Sequence, residues 1–227
     1  MEKRVLNLEK KINIKFKNKN LILQALTHTS YVNEHPALKR NHNERLEFLG
    51  DAVLEFVITN YLYKKFPEHP EGKLTVLRSS LVNTESLSNV AKKINLEKYI
   101  FLSKGEKISQ TKPTILANII EALIGAIFLD QGIEKSTEFI KQFIISKLKT
   151  IIQTKSYKNA KGQLQEITQS KIKVTPTYKI ISESGPEHKK IFKVGVFINK
   201  KKIATGKGKS KQKAEIRAAQ KALKKMN

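Results

Sequence analysis

Glu44, Glu47 and Asp51 stand at positions i, i+3 and i+7 within Asn-Glu-Arg-Leu-Glu-Phe-Leu-Gly-Asp, residues 43–51. On an α-helix of about 3.6 residues per turn, these three carboxylates share one face. Like charges stacked this way repel, at roughly a few tenths of a kcal/mol for each exposed pair. Leu46, Phe48 and Leu49 lie between them, so part of the helix is expected to face a core. Carboxylates crowded beside a core are the donors that a hard divalent cation takes. By spacing alone, a solvated acidic face is the simpler account, with Asn43 as the N-cap and Glu44 favouring the helix N-terminus.

A second acidic position shifts that balance. Residues 115–129 are apolar apart from Asn118, Glu121 and Gly125. The run is too short and too interrupted to span a membrane and reads as a buried helix, entered at Pro113 and Thr114. Asn118 and Glu121, at i and i+3, fall on one face. A glutamate inside such a helix must be paired, hydrogen-bonded, protonated or metal-bound, because an unpaired buried charge is very costly. A hydrogen-bonded Glu121 meets that requirement. A metal site fed by two core helices meets it too and accounts for both clusters at once.

Charge points to the partner. The chain carries a formal net charge of +24, unevenly placed. Residues 1–153 carry +8, whereas residues 154–227, with 20 Lys and Arg against 4 Asp and Glu, carry +16. Such density implies a polyanion, most often nucleic acid and less often an anionic membrane. An acidic metal pocket joined to a basic module fits phosphodiester chemistry on nucleic acid. Arginine occurs only at positions 4, 40, 45, 78 and 217. Lysine meets phosphate as a point charge, which leans toward backbone contact over base reading. Compositional bias, with Ile and Asn also abundant, explains the lysine excess more simply.

The elements that must position these groups follow from patterning. At 227 residues with 39% apolar content, the chain allows one large domain or two smaller ones with real cores. The absence of cysteine excludes disulfides and thiolate zinc sites. The opening Met-Glu-Lys-Arg-Val-Leu lacks a signal-peptide apolar stretch, so a cytoplasmic location is expected. Short helices are expected over Leu21 to Leu26, from Glu71, and over Ser86 to Lys93. The acidic signature helix should run to about Lys65, where Phe66-Pro67 and Pro70 break it. After the apolar helix, Gly132 should separate a last helix from about Ile133 to Ile152. Residues 154–161 read as a linker. Beyond it come a short helix at Leu164 to Gln169 and strands at Thr177 to Ser182, Ile191 to Ile198 and Ile203 to Thr205. A helix from Ser210 to Lys225 closes the chain, with Ala214, Ala218, Ala219, Ala222 and Leu223 on its apolar side.

These motifs resemble bacterial ribonuclease III over nearly the whole length. The resemblance rests on Asn43 to Asp51, Leu26-Thr27-His28-Thr29-Ser30-Tyr31, Glu71-Gly72 with Leu77-Arg78, and Leu116 to Asp130, in order and spacing. In the tail it rests on Gln163 and Glu166, Gly185-Pro186-Glu187-His188, and Gly206 to Ala214. The resemblance implies a mainly α ribonuclease III-like endonuclease domain over residues 1–153. It implies a small α+β (α-β-β-β-α) double-stranded-RNA-binding domain over residues 162–227. Its metal ligands correspond to Glu47, Asp51 and Glu121, with position 118, an aspartate in well-known members, occupied here by Asn118. The resemblance implies catalytic roles for Asp51 and Glu121, with Glu44 and Glu71 beside them in the catalytic cluster, assisting RNA binding or dimer-spanning contacts. The implied cofactor is Mg²⁺, with Mn²⁺ as substitute, and the implied assembly is a homodimer without a membrane. The expected reaction is endonucleolytic cleavage of double-stranded RNA, in ribosomal precursors and some messengers. It would leave 5′-phosphate and 3′-hydroxyl ends with short 3′ overhangs.

Duplex RNA is read through 2′-hydroxyls and phosphates, because its base edges lie in a narrow groove. Gln163 and Glu166 suit the 2′-hydroxyls, His188 matches the family's minor-groove contact, and Lys207, Lys209, Lys211 and Lys213 suit phosphates beside a helix N-terminus. An alternative class is a regulator that binds duplex RNA without cutting, favoured only by Asn118. A basic ribosome-associated structural protein fits the charge but leaves Glu121 unexplained.

Overall fold

Two long helices organise the first part of the chain. The computed structural model describes residues 2–38, 41–106, 111–153, 160–186 and 190–226. The chain divides into two compact units, Met1–Tyr157 and Lys158–Asn227. In the first unit the helices are α1 (Glu2–Ile12), α2 (Lys19–Ala25), α3 (Thr29–Glu34), α4 (Glu44–Lys65), α5 (Glu71–Val82), α6 (Thr84–Lys93), α7 (Pro113–Phe143) and α8 (Leu148–Gln153).

The apolar run forms the centre as its composition predicts. Ile115, Leu116, Ile119, Ile120, Leu123, Ile124 and Ile127 of α7 are all buried. Each such side chain contributes roughly 1.5–3 kcal/mol on burial. By length and composition α7 could cross a membrane. Here most of its apolar side chains are enclosed by the protein, with α4, α6 and α2 packed against it, and Leu129 is left exposed. The expected separation at Gly132 is a kink: its φ of 83° is left-handed, and helical structure resumes through Phe143. A 3₁₀ turn at Ile145–Lys147 then leads to α8, so Ile133 to Ile152 is not one helix.

Helix α4 faces the core in part, as expected, but not through every apolar residue of the signature. Phe48 does not face the core; it is 82% exposed, while Leu46 is buried and Leu49 packs at the core's edge. Asn43 precedes the helix but its side chain makes no capping bond. Its backbone serves instead: the N–H donates to Thr27 O at 2.9 Å, and the carbonyl accepts from Leu46 and Glu47.

The second unit has the order α9 (Ala160–Ile172), β1 (Thr177–Ser184), β2 (Ile191–Ile198), β3 (Lys201–Gly208) and α10 (Lys211–Met226). The sheet is antiparallel in the order β1-β2-β3, with helices α9 and α10 packed together and α10 against β2 and β3. Ala214, Ala218, Ala219, Ala222 and Leu223 are buried, as the pattern requires. The first helix begins earlier than Leu164. Ala160 is buried, and Lys161 reaches Glu215 of α10 at 2.6 Å, interactions that a polar sequence conceals. Strand β3 also extends beyond Ile203 to Thr205, because backbone pairing with β2 continues through lysines and glycines. Residues 154–159 of the expected linker lie outside the described residues.

Candidate metal centre and nucleic-acid interface

A crossing of two glycines places the acidic groups. A Cβ on Gly50 of α4 would lie 1.7 Å from Glu121 O, and one on Gly125 of α7 would lie 2.2 Å from Leu46 O. Only hydrogen atoms fit there, so the two backbones touch. Glu47 and Asp51 of α4 are thereby carried to Asn118 and Glu121 of α7.

Glu121 is half-buried beside Asp51 and Glu47; burial first, then those two charges, push its carboxyl up to about 7. Burial also raises Glu47, with Glu44 and Asp51 adding to the effect. The Asn118 amide beside the Glu47 carboxylate pulls it the other way. Among the described residues, none of Glu47, Asp51 and Glu121 has a lysine, arginine or histidine ion-pair partner. In a chain of net charge +24 that isolation is informative. Three carboxylates and an amide form an all-oxygen set of the kind Mg²⁺ or Mn²⁺ accepts. The residues therefore fit a hard divalent cation by donor chemistry. In the conformations seen, no three His, Cys, Asp or Glu side chains among the described residues converge closely enough to enclose an ion.

The assisting glutamates divide. Glu44 is exposed at the start of α4, 3.7 Å from His42, and its charge acts on Glu47. Glu71 stands at the start of α5 and accepts from Thr75 Oγ1 at 2.7 Å. It takes no part in the interactions that raise Glu47 and Glu121. The structure thus brings Glu44, Glu47, Asp51, Asn118 and Glu121 together and leaves Glu71 out within one chain.

The neighbouring motif supports this arrangement indirectly. His28 caps α3, its Nδ1 accepting from Ser30 N at 3.3 Å. Ser30 Oγ donates to Glu106 at 3.1 Å and accepts from Ser103 N at 3.3 Å. Gln24 Nε2 donates to the His42 carbonyl at 3.1 Å, just before α4.

In the second unit, close packing again relies on glycine: a Cβ on Gly206 would lie 2.2 Å from Ala214 O. This seats β3 tightly on α10. Lys207 lies within β3, Lys209 in the turn, and Lys211 and Lys213 in the first turn of α10; all four are exposed. Ser210 caps the helix, its Oγ accepting from Lys213 N at 3.2 Å. Glu166 is exposed on α9 and Gln163 half-exposed. Glu183 and Lys190 pair at 2.7 Å across the β1–β2 hairpin. His188 lies outside the described residues.

Residues 18–148 match the Ribonuclease-III-like family model, and residues 160–226 match the Double-stranded RNA binding motif. Ribonuclease 3 of a Nitratiruptor species is 45% identical, over 98% of this chain and 96% of that protein. Ribonuclease 3 of Carboxydothermus hydrogenoformans is 48% identical, over 96% and 94%. This chain belongs to the ribonuclease III family. The nuclease domain of ribonuclease III from Campylobacter jejuni is similar in structure, with a TM-score of 0.57 and 42% identity. That likeness covers 62% of this chain and 95% of the solved one, a structure concerned with flexibility in a region involved in dimer formation. As a ribonuclease III with a duplex-binding motif, the protein is an endoribonuclease of double-stranded RNA.

Sequence reasoning missed the glycine crossing. Its signal was present: a glycine inside a helix costs about 1 kcal/mol against alanine, so one within each of two long helices marks a packing need. It also missed the Lys161 clamp, in which the ammonium sits 4.8 Å from the Tyr178 ring centre and pairs with Glu215.

Proposed function

We propose that the protein is a Mg²⁺-dependent ribonuclease III that cuts both strands of duplex RNA as a homodimer, leaving 5′-phosphate and 3′-hydroxyl ends with short 3′ overhangs. The observation that carries the metal reading is the glycine crossing, which gathers Glu47, Asp51, Asn118 and Glu121 with no ion-pair partner for the three carboxylates among the described residues. Those four residues would hold the ion, and Mn²⁺ suits the same donors. Bound there, a divalent cation supplies an acidified water and charge neutralisation at the phosphate. In the hydrolysis, water's oxygen bonds to phosphorus, the bond to the 3′ oxygen breaks, and a proton passes to that leaving oxygen.

The chain's own groups do the remaining work. Asn118 lies beside Glu47 and favours its charged form. Lys211 and Lys213, at the α10 N-terminus, meet phosphates, helped by the helix dipole. Gln163 and Glu166 reach 2′-hydroxyls. The dimer reading is supported by α4 itself. Phe48, Phe56 and Tyr63 are 82%, 61% and 72% exposed and lie on one side of the helix. Large apolar side chains left bare in a row mark an interface. Processing of ribosomal precursors and some messengers is the role we assign it, with family membership in support.

The test is cleavage of a long RNA duplex with Mg²⁺, Mn²⁺ and Ca²⁺ in parallel and the ends mapped. Staggered products with Mg²⁺ or Mn²⁺ support the proposal. Salt-sensitive binding without cleavage in any of them makes the protein a binder that does not cut.

A further inference from the structure

The sheet of the second unit carries its helices on one face. A Cβ on Gly206 would lie 2.2 Å from Ala214 O and one on Gly208 2.6 Å from Ala214 N, so both glycines face α10. Successive strand residues point to opposite faces. Lys207, between the two glycines, therefore points away from α10. The register carries this outer side across the sheet: Lys207 stands opposite Lys193, and Gly195 opposite Lys179 and Thr205. Past a register shift, Lys202 stands opposite Phe197. The outer face thus presents Lys179, Lys193, Lys202 and Lys207 and no carboxylate. Glu183, the single acidic residue of the three strands, stands opposite Phe192, whose other neighbour is Gly208. It lies on the helix side and is paired to Lys190. None of the four outer lysines has an ion-pair partner among the described residues.

Between those cations lies an apolar centre. A Cβ on Gly195 would fall 2.9 Å from Ile181 Cδ1 and 3.0 Å from Phe197 Cε2, so both side chains lie over the glycine. Ile181 is 42% exposed and Phe197 half-exposed. The Lys179 ammonium stands 5.9 Å from the Phe197 ring centre. A ring leaning along its strand over a glycine offers its other side to solvent. A flat aromatic among unpaired cations suits a ligand that carries both phosphates and open base faces. Duplex RNA keeps its bases stacked inside, whereas unpaired RNA offers them. We propose that the outer sheet face of the second unit binds single-stranded RNA, with a base stacked on Phe197 and phosphates on Lys179, Lys193, Lys202 and Lys207. Gln163, Glu166, Lys211 and Lys213 stand on α9 and α10, across the sheet, so this is a second RNA contact beside the duplex-binding one. Lys207, grouped by sequence with the lysines of α10, belongs to it. The contact needs neither a metal ion nor cleavage.

The test uses the full chain in EDTA and reads fluorescence anisotropy. Its probes are a short unpaired RNA of mixed A and C, an abasic strand of the same length, and a blunt RNA duplex. Wild type should bind the unpaired RNA more tightly than the abasic strand, and saturating unlabelled duplex should leave it bound. F197L keeps an apolar cover on Gly195 but no flat ring. It should weaken unpaired-RNA binding about tenfold and leave abasic-strand and duplex binding unchanged. K179A/K202A should lower the slope of log affinity against log salt for unpaired RNA by about 1.4, at roughly 0.7 for each phosphate, with duplex affinity unchanged. K211A/K213A should weaken duplex binding and spare the unpaired RNA. If the duplex displaces the unpaired RNA, or K211A/K213A weakens both alike, one shared surface binds both and the proposal is overturned. Equal binding of base-bearing and abasic strands by wild type, or unchanged binding by F197L, also overturns it. No binding of unpaired RNA by wild type does the same and leaves the face to a protein partner. Should F197L fail to fold, K179A/K202A decides: a lower slope with duplex binding intact supports the proposal, and an unchanged slope overturns it.

Discussion

The two units use glycine alike and charge in opposite ways. In the nuclease unit, Gly50 and Gly125 bring two helices into backbone contact and crowd like charges at a half-buried place. In the RNA-binding unit, Gly206 seats β3 on α10 and leaves lysines in solvent at a helix end. Crowded, poorly hydrated carboxylates interact strongly and depend on position. Exposed lysines interact weakly with one another and each adds a separable share of binding. On the proposed function, reaction chemistry sits where a small displacement matters, and affinity sits where it does not.

The largest effect should come from the crowded side. E121Q should reduce cleavage by roughly 10³-fold while duplex binding in Ca²⁺ stays near wild type, since several kcal/mol of charge stabilisation vanish. Equal losses of cutting and binding would dissolve the distinction between the units.

Next is the crossing itself. G125A places a methyl group against Leu46 O and should destabilise the fold by about 2–4 kcal/mol. The melting point should fall by roughly 5–10 °C. The control is G72A, because nothing lies within 4 Å of a Cβ at Gly72. If both variants melt alike, the close approach does not set the site.

The lysine side should respond by degrees. The pair K211A/K213A should weaken duplex binding and lower the slope of log affinity against log salt by about 1–2, at roughly 0.9 for each phosphate left without its lysine. Cleavage at saturating RNA should change little. A large fall in maximal rate would show that these lysines do more than bind.

The smallest effect separates function from stability. In EDTA, E121Q should melt about 2–4 °C above wild type, because it removes a half-buried charge that Asp51 and Glu47 repel. A lower melting point would mean that Glu121 stabilises the fold and is not strained by it.

Much of this was legible beforehand because its signals are local. The Glu44, Glu47 and Asp51 spacing, the apolar run around Glu121 and the alanines of the last helix each lie within one element, and helical periodicity alone assigns them a face. What failed depended on neighbours distant in sequence. Phe48 is as apolar as Leu46, yet α7 covers one and leaves the other bare. Ala160 and Lys161 read as linker until Glu215 and Tyr178 are placed beside them.

The sequence by itself determined which groups are available: hard oxygen donors on two helices, a chain of net charge +24 weighted to its end, and an asparagine at position 118. Tertiary structure decided which of them meet. Two helices separated by dozens of residues in sequence come this close because Gly50 and Gly125 lack side chains. The same crossing includes Glu44 and excludes Glu71 from the cluster within one chain. Periodicity fixes a residue's face on its own helix, whereas the distance between helices depends on whatever side chains happen to stand between them.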